Sequence, residues 1–424
     1  MGSAPTTQPT TQPTTDPRPL LPPEGRLVVV GGGVAAATLC QAVRRGGFTG
    51  EVVVVGQEPH APYDRPPLSK QVLLGDAPVP PSPHGGVADL GVGGGDVDLR
   101  PGVTATGLDP AARVVRTRSE DRDHEVAYDA VVVATGSEPV RLPGDGPQLT
   151  LRRWEDAVAL RARLRPGARV VVVGAGWVGA EVATAALRHG ADVTCLEAAG
   201  APAAAVVGEE VADRVLLPLW RDVDLRLGTP VESVGPDGVR LAGGAVVPAD
   251  VVVTGVGVRP AVAWLDGSGL AVDAGGVLVD EHLRAGPAGV LAVGDAAHRW
   301  SPRWGRRVRA EHWEEAVHGA GAAAEVLLAG GEAPLPVHDP VPYVWSDQLG
   351  VRLQLVGLPG AADRVVWREH DSGAPTALWL GEDGRLEAVL AVDRPREAAA
   401  ARRAVGAVRD LDRLVDAGTP LHRA

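Results

Sequence analysis

The chain has 424 residues, 45% of them hydrophobic, a formal charge of −12 and two cysteines. That length is enough for two to three domains, and the negative charge argues against broad nucleic-acid or membrane-surface binding. No apolar run reaches membrane-spanning length, and the cysteines, Cys40 and Cys195, fall in buried-looking elements, which fits a reducing cytoplasm better than a disulfide framework.

Residues 1–24, with their Thr/Pro/Gln repeat, lack the apolar core of a signal peptide and read as a disordered tail. Residues 26–56 then give an apolar run typical of a strand buried on both faces, a glycine cluster, an Ala-rich helix and a second buried strand. Gly31 and Gly33 permit a tight turn and a close approach of backbone to a pyrophosphate. Ala36 at the third position of the G-x-G-x-x-G/A pattern lets helix and strand pack closely. The helix N-terminus aims free N–H groups at an anion. Glu58, just past the second strand, is placed to bind ribose hydroxyls, with Gln57 as the competing neighbour.

Lys70 is the only lysine among 41 basic residues. Arg is a planar fork and Lys a compact point charge, so a lone survivor marks either a position that Arg cannot serve or a chance surface residue. It closes the Pro-stiffened loop PYDRPPLSK, residues 62–70, and a short helix is expected to begin near Leu68. Residues 79–95 are rich in Pro and Gly and read as a covering loop. Residues 103–144 read as hairpin strands followed by a buried strand that stops at Ala134-Thr135-Gly136.

Residues 169–197 repeat the opening: strand, G-x-G-x-x-G (Gly174, Gly176, Gly179), helix, strand, and an acid, Glu197, ~20 residues after the glycines, where it can bind both hydroxyls of an NAD ribose. No Arg follows Glu197 to neutralise a 2′-phosphate, so NADH is favoured. A further strand–glycine element at 251–260 carries Gly257, and the strand at 290–298 ends in Gly294-Asp295, a carboxylate facing the ligand crevice of a doubly wound fold. Beyond residue 334, strands at 352–356, 364–368, 377–380 and 387–392 and a helix from about 395 form a separate unit. The fold class is α/β: two Rossmann-like dinucleotide-binding domains, at 25–144 with 271–333 and at 145–270, plus a C-terminal α+β domain at 334–424.

PYDRPPLSK, ATGSEP, GAGWVGAE, TGVGVRP, VLAVGDAAH, AEHWEEA and VPYVWSDQLG, in this order, resemble the FAD-dependent NADH:ferredoxin and rubredoxin reductases of oxygenase and cytochrome P450 systems. These have the glutathione-reductase-like flavoprotein fold. The resemblance implies FAD contacts from Gly31, Gly33, Glu58, Lys70 and Val103, and from Arg152, Asp295 and Trp313. Ala36, Arg65, Ala134, Thr135, Gly136 and Gly294 complete that set. It implies NADH contacts from Gly174, Gly176, Gly179 and Glu197, with Gly257 beside them. Lys70 would lie by the flavin ring, paired with Glu181, and Trp345 would pack near the isoalloxazine. Residues 85–95 depart from the family, which usually carries aromatic residues there.

Relatives that use a disulfide carry C-x-x-x-x-C after the first βαβ unit, and there is no cysteine between Val55 and Lys70. Electrons should therefore pass from FAD to an iron–sulfur partner, ferredoxin or rubredoxin, one at a time. An apoptosis-inducing flavoprotein with an interaction role and an NADH oxidase are the alternatives, and the expected assembly is a monomer or homodimer. The expected docking patch is residues 298–313, with Arg299, Arg303, Arg306, Arg307 and Arg309. His298 and His312 lack metal-ligand spacing and are read as locally hydrogen-bonded.

Overall fold

The computed structural model describes residues 19–75, 96–120, 122–330, 334–362 and 364–424. The tail up to residue 18 and the loop at 85–95 lie outside them. The chain divides into two compact units, Met1–Asp64 with Pro81–Glu138 and Arg259–Pro340, and Arg65–Pro80 with Pro139–Val258 and Val341–Ala424.

The first unit is built on a parallel five-stranded sheet in the order Val290–Ala292, Ala130–Val133, Arg26–Val30, Glu51–Gly56, Asp98–Pro101. Its central strands are runs of valine because both faces are covered, so the alternation of a half-exposed strand is absent. The helix Val34–Arg45 follows the first strand and packs against Trp313–Leu328. Ala35, Ala36, Ala316, Ala320, Ala323 and Ala324 are buried on these two helices, and small side chains let their axes come close. Arg44 closes the first helix by donating to the carbonyls of Phe48 and Gly50, each at 2.8 Å. Leu21, within the expected tail, is 1% exposed, and its N–H donates to the Leu327 carbonyl at 3.0 Å. A three-stranded antiparallel meander, Thr104–Asp109, Val114–Ser119 and Arg122–Ala127, completes the expected hairpins.

The second unit repeats the plan in a smaller parallel sheet, ordered Asp224–Arg226, Asp192–Leu196, Arg169–Val173, Val251–Thr254. The same unit contains an antiparallel five-stranded sheet in the order Tyr343–Gln348, Val351–Gly357, Leu386–Val392, Thr376–Leu380, Arg364–Arg368, with the helix Pro395–Ala404 beside it. The strand Tyr343–Gln348 was not foreseen from the sequence. It pairs with Val351–Gly357 across a two-residue turn in which Leu349 (φ 48°) and Gly350 (φ 88°) both have left-handed backbone, as a tight hairpin of this twist requires. Ala201, Val207, Val211, Ala212, Val215 and Leu216 pack against its apolar face. Among the described residues no helix is long and apolar enough to cross a membrane.

Candidate functional site

In the first unit the expected residues gather at the carboxyl edge of the parallel sheet. Gly31 leaves its strand at φ 126°, and a Cβ there would stand 2.1 Å from the Ala134 carbonyl oxygen, so only glycine fits where the two strand ends converge. A Cβ on Gly33 would meet nothing within 4 Å. That open space lies in front of the first helical turn, which has no side-chain cap, the arrangement an incoming pyrophosphate needs. Ala36, in the first turn of that helix, is fully buried.

Six further residues complete this edge. Val103 donates its N–H to Gly56 at 2.9 Å, and Gly136 accepts from Ala261 at 2.9 Å. Glu58 accepts a hydrogen bond from the Tyr63 hydroxyl. Asp295, buried beside Gly294, accepts from the Ser137 hydroxyl at 2.7 Å, and Trp313 donates its indole N–H to Asp64 at 3.0 Å. Thr135 lies between Ala134 and Gly136 at the end of its strand.

The second unit holds a tighter copy of the glycine loop. Gly174 turns at φ 100°, and a Cβ on Gly179 would fall 2.0 Å from the Gly174 carbonyl oxygen, so the third position cannot take the alanine that Ala36 supplies in the first loop. Gly176 again faces open space, as does Gly257 at φ 111°. Glu197 ends its strand with one carboxylate oxygen accepting from Ala175 N–H at 2.7 Å and the other from Ala199 N–H at 2.9 Å. The carboxylate is thus tied to the loop that would bind the diphosphate. Arg226 lies on the neighbouring strand, paired in register with Leu196, but its guanidinium is engaged by Asp224 at 2.6 Å. It does not offer a free cation for a 2′-phosphate.

Arg65, Lys70, Arg152, Glu181 and Trp345 all belong to the second unit. Arg65 donates to the Arg152 carbonyl at 2.6 Å. The expected helix near Leu68 is a tight 3₁₀ turn, Pro66–Ser69, followed by the short helix Gln71–Leu74, and Lys70 is the joint between them. Its ammonium lies 2.8 Å from Glu181, on the second turn of the helix Trp177–Arg188 that begins at the second glycine motif. The two side chains are 14% and 6% exposed, so the pair is largely out of water, where a charge–charge contact is screened least. Two hydroxyls that sequence reasoning passed over, Ser69 and Ser346, also donate to the Glu181 carboxylate. Both stand inside quoted motifs, PYDRPPLSK and VPYVWSDQLG, as apparent spacers. Trp345 stacks on Tyr343 with ring centroids 6.0 Å apart, and the Arg402 guanidinium lies 4.7 Å from the other ring.

The arginine segment is less uniform than its sequence. Arg299 does not belong to a surface patch: it is 1% exposed and ion-paired with Glu315 and Asp339, each at 2.9 Å, because its strand faces it inward. Arg307 donates to the carbonyls of Val279 and His298, and Arg309 pairs with Glu311. Arg303 is exposed and Arg306 half-buried. His298 bonds Asp273 at 2.9 Å, a local contact as expected. Burial pushes the Cys40 thiol up to about 12 and the Cys195 thiol higher still, so both are inert core side chains.

Residues 25–320 match the family described as pyridine nucleotide-disulphide oxidoreductase, and residues 343–424 match the one described as reductase C-terminal. The chain is 36% identical over 409 residues to the ferredoxin–NAD(+) reductase component of the anthranilate 1,2-dioxygenase system of Burkholderia cepacia, covering 92% of this chain and 96% of the relative. Its fold is similar to the crystal structure of Fdr9, with TM-score 0.88 and 51% identity over 93% of this chain and 99% of that one. It is also similar to the reductase in a covalent putidaredoxin reductase–putidaredoxin complex, with TM-score 0.84 and 28% identity over 94% and 97% of the two chains.

Proposed function

The chain belongs to the pyridine nucleotide-disulphide oxidoreductase family and ends in its reductase C-terminal domain, and from that membership we propose how its own residues serve the reaction. It is an NADH-dependent, FAD-containing ferredoxin reductase of the kind that supplies an oxygenase or cytochrome P450. Bound FAD would supply the capacity to take a hydride from NADH and to part with its two electrons singly. Gly31, Gly33 and the helix that follows hold the flavin nucleotide's pyrophosphate, Glu58 its ribose, and Asp295 stands on the strand end beside them. Gly174, Gly176 and Gly179 hold the pyrophosphate of NADH, and Glu197 binds its ribose hydroxyls.

Lys70 stabilises negative charge on the reduced ring, while Glu181 keeps the ammonium in place and limits its field. That pair is the observation that carries the reading, because it joins the chain's one lysine to the helix of the second nucleotide motif. The two cysteines, both buried, supply no redox thiol. Docking of the acidic ferredoxin uses the arginine segment around Arg303, its exposed member, and half-buried Arg306, with Arg307 and Arg309 fixing the segment's shape.

The test is NADH-driven cytochrome c reduction with and without added ferredoxin. A large ferredoxin-dependent rate supports the reading; a rate that ignores ferredoxin while oxygen is consumed points to an NADH oxidase.

A further inference from the structure

The Glu181 carboxylate is gripped from two segments of the second unit, the turn carrying Ser69 and Lys70 and the strand carrying Ser346. Ser346, 2% exposed, donates its hydroxyl to Oε1 at 2.6 Å, the oxygen that also receives Lys70. Gln348 donates to the Ser346 oxygen at 3.1 Å, which leaves the hydroxyl proton directed at Glu181. Ser69 donates to Oε2 from the turn that leads into Lys70. The hairpin bearing Ser346 is fastened to the same helix, since Thr184 accepts from the Leu349 N–H at 2.7 Å while donating to the Ala180 carbonyl at 2.7 Å.

A lysine ammonium is a point charge on a flexible four-carbon stem, with no direction of its own. It is held only as firmly as the acid that holds it. A buried hydroxyl costs free energy unless hydrogen-bonded, so Ser346, with half-buried Ser69 on the other oxygen, makes a defined Glu181 rotamer the favoured state.

We infer that Ser346 and Ser69 are positioning residues, which hold Glu181 by its two oxygens and so keep the Lys70 ammonium in its place. This rests on the reading of Lys70 as the group that serves the reduced ring. Because Lys70 is the only lysine in the chain, labelling with ε-¹³C-lysine gives a protein whose one lysine ε resonance reports this site, independently of turnover.

In the holoenzyme, Ser346→Ala and Ser69→Ala are each expected to move or broaden that resonance, and Ser346→Thr to restore it. The limiting rate of flavin reduction should fall about tenfold in the alanine variants, as for loss of one hydrogen bond to a charged group, with NADH affinity unchanged. A wild-type resonance in both alanine variants overturns the inference. A threonine variant that stays altered does so too, since packing rather than the hydroxyl would then be at fault. Should Ser346→Ala fail to fold, Ser69→Ala carries the comparison. A wild-type enzyme that cannot be reduced by NADH would defeat the functional reading alone, and the lysine resonance would still decide the positioning.

Discussion

Lys70 and Glu181, 111 positions apart in the chain (181 − 70), meet at 2.8 Å in a place where little of either side chain reaches water. Replacing Lys70 by Met removes the charge and keeps the length. Flavin reduction by NADH should slow by about 10²–10³-fold, the effect of losing a charge stabiliser worth roughly 2–4 kcal/mol in a dry site. Lys70→Arg should recover only part of the rate, because the fork is larger and differently hydrated. Stopped-flow absorbance of the flavin band decides it, and wild-type kinetics in Lys70→Met would return the lysine to chance.

Coenzyme choice is expected to turn on Glu197. Its carboxylate, held by the Ala175 and Ala199 N–H groups, repels a 2′-phosphate, and Arg226 is committed to Asp224. The ratio of kcat/KM for NADH to that for NADPH should be well above one and should fall in Glu197→Ala. Equal values in the wild type would remove Glu197 from the ribose.

For the partner, Arg303→Gln with Arg306→Gln should slow ferredoxin reduction and flatten its dependence on ionic strength, because exposed charges steer association and are screened by salt. Flavin reduction by NADH should not change. Arg307 is the wrong residue to remove, since it bridges the Val279 and His298 carbonyls at 2.9 and 2.7 Å and its loss would loosen the segment. An unchanged ferredoxin rate with an unchanged salt slope would move docking elsewhere.

Acid sensitivity has an identifiable source in Glu315. Burial alone would raise its pKa, but the hydrogen bond from His338 and the charge of Arg299 outweigh burial and bring it from 4.5 to about 2. A carboxyl depressed on folding binds fewer protons folded than unfolded, so its contribution is present in full above 4.5 and is lost as pH falls toward about 2. The linkage amounts to roughly 3 kcal/mol across that window. Denaturant unfolding of wild type and Glu315→Gln should therefore show a stability gap that narrows as pH drops below 4.5. A gap that stays constant with pH would show that Glu315 is not the linked group.

The two nucleotide loops were legible because strand, glycines and helix are contiguous, and every distance that forces glycine at Gly31 or Gly179 is set within one supersecondary unit or by the strand beside it. The C-terminal strands were legible from their apolar runs, except Tyr343–Gln348, whose burial is mixed and whose Trp, Ser, Asp and Gln do not alternate cleanly. Arg299 was misjudged for the opposite reason: four more arginines follow it within ten residues and suggest one basic surface, while its partners, Glu315 and Asp339, are brought in by the fold. Ser346 is 165 residues from the acid it binds, and no local pattern marks a serine for that role.

NADH is expected to reduce a flavin that hands its electrons on without a thiol relay. Anaerobic titration of the purified yellow protein with NADH, followed by oxidised ferredoxin, tests it most directly. The expected result is full bleaching at two electrons per chain, no thiol appearing in denaturing assays beyond the two of Cys40 and Cys195, and return of the oxidised flavin spectrum once two equivalents of a one-electron ferredoxin are added. Uptake of more than two electrons, or a reduced protein that ferredoxin fails to reoxidise, would contradict it.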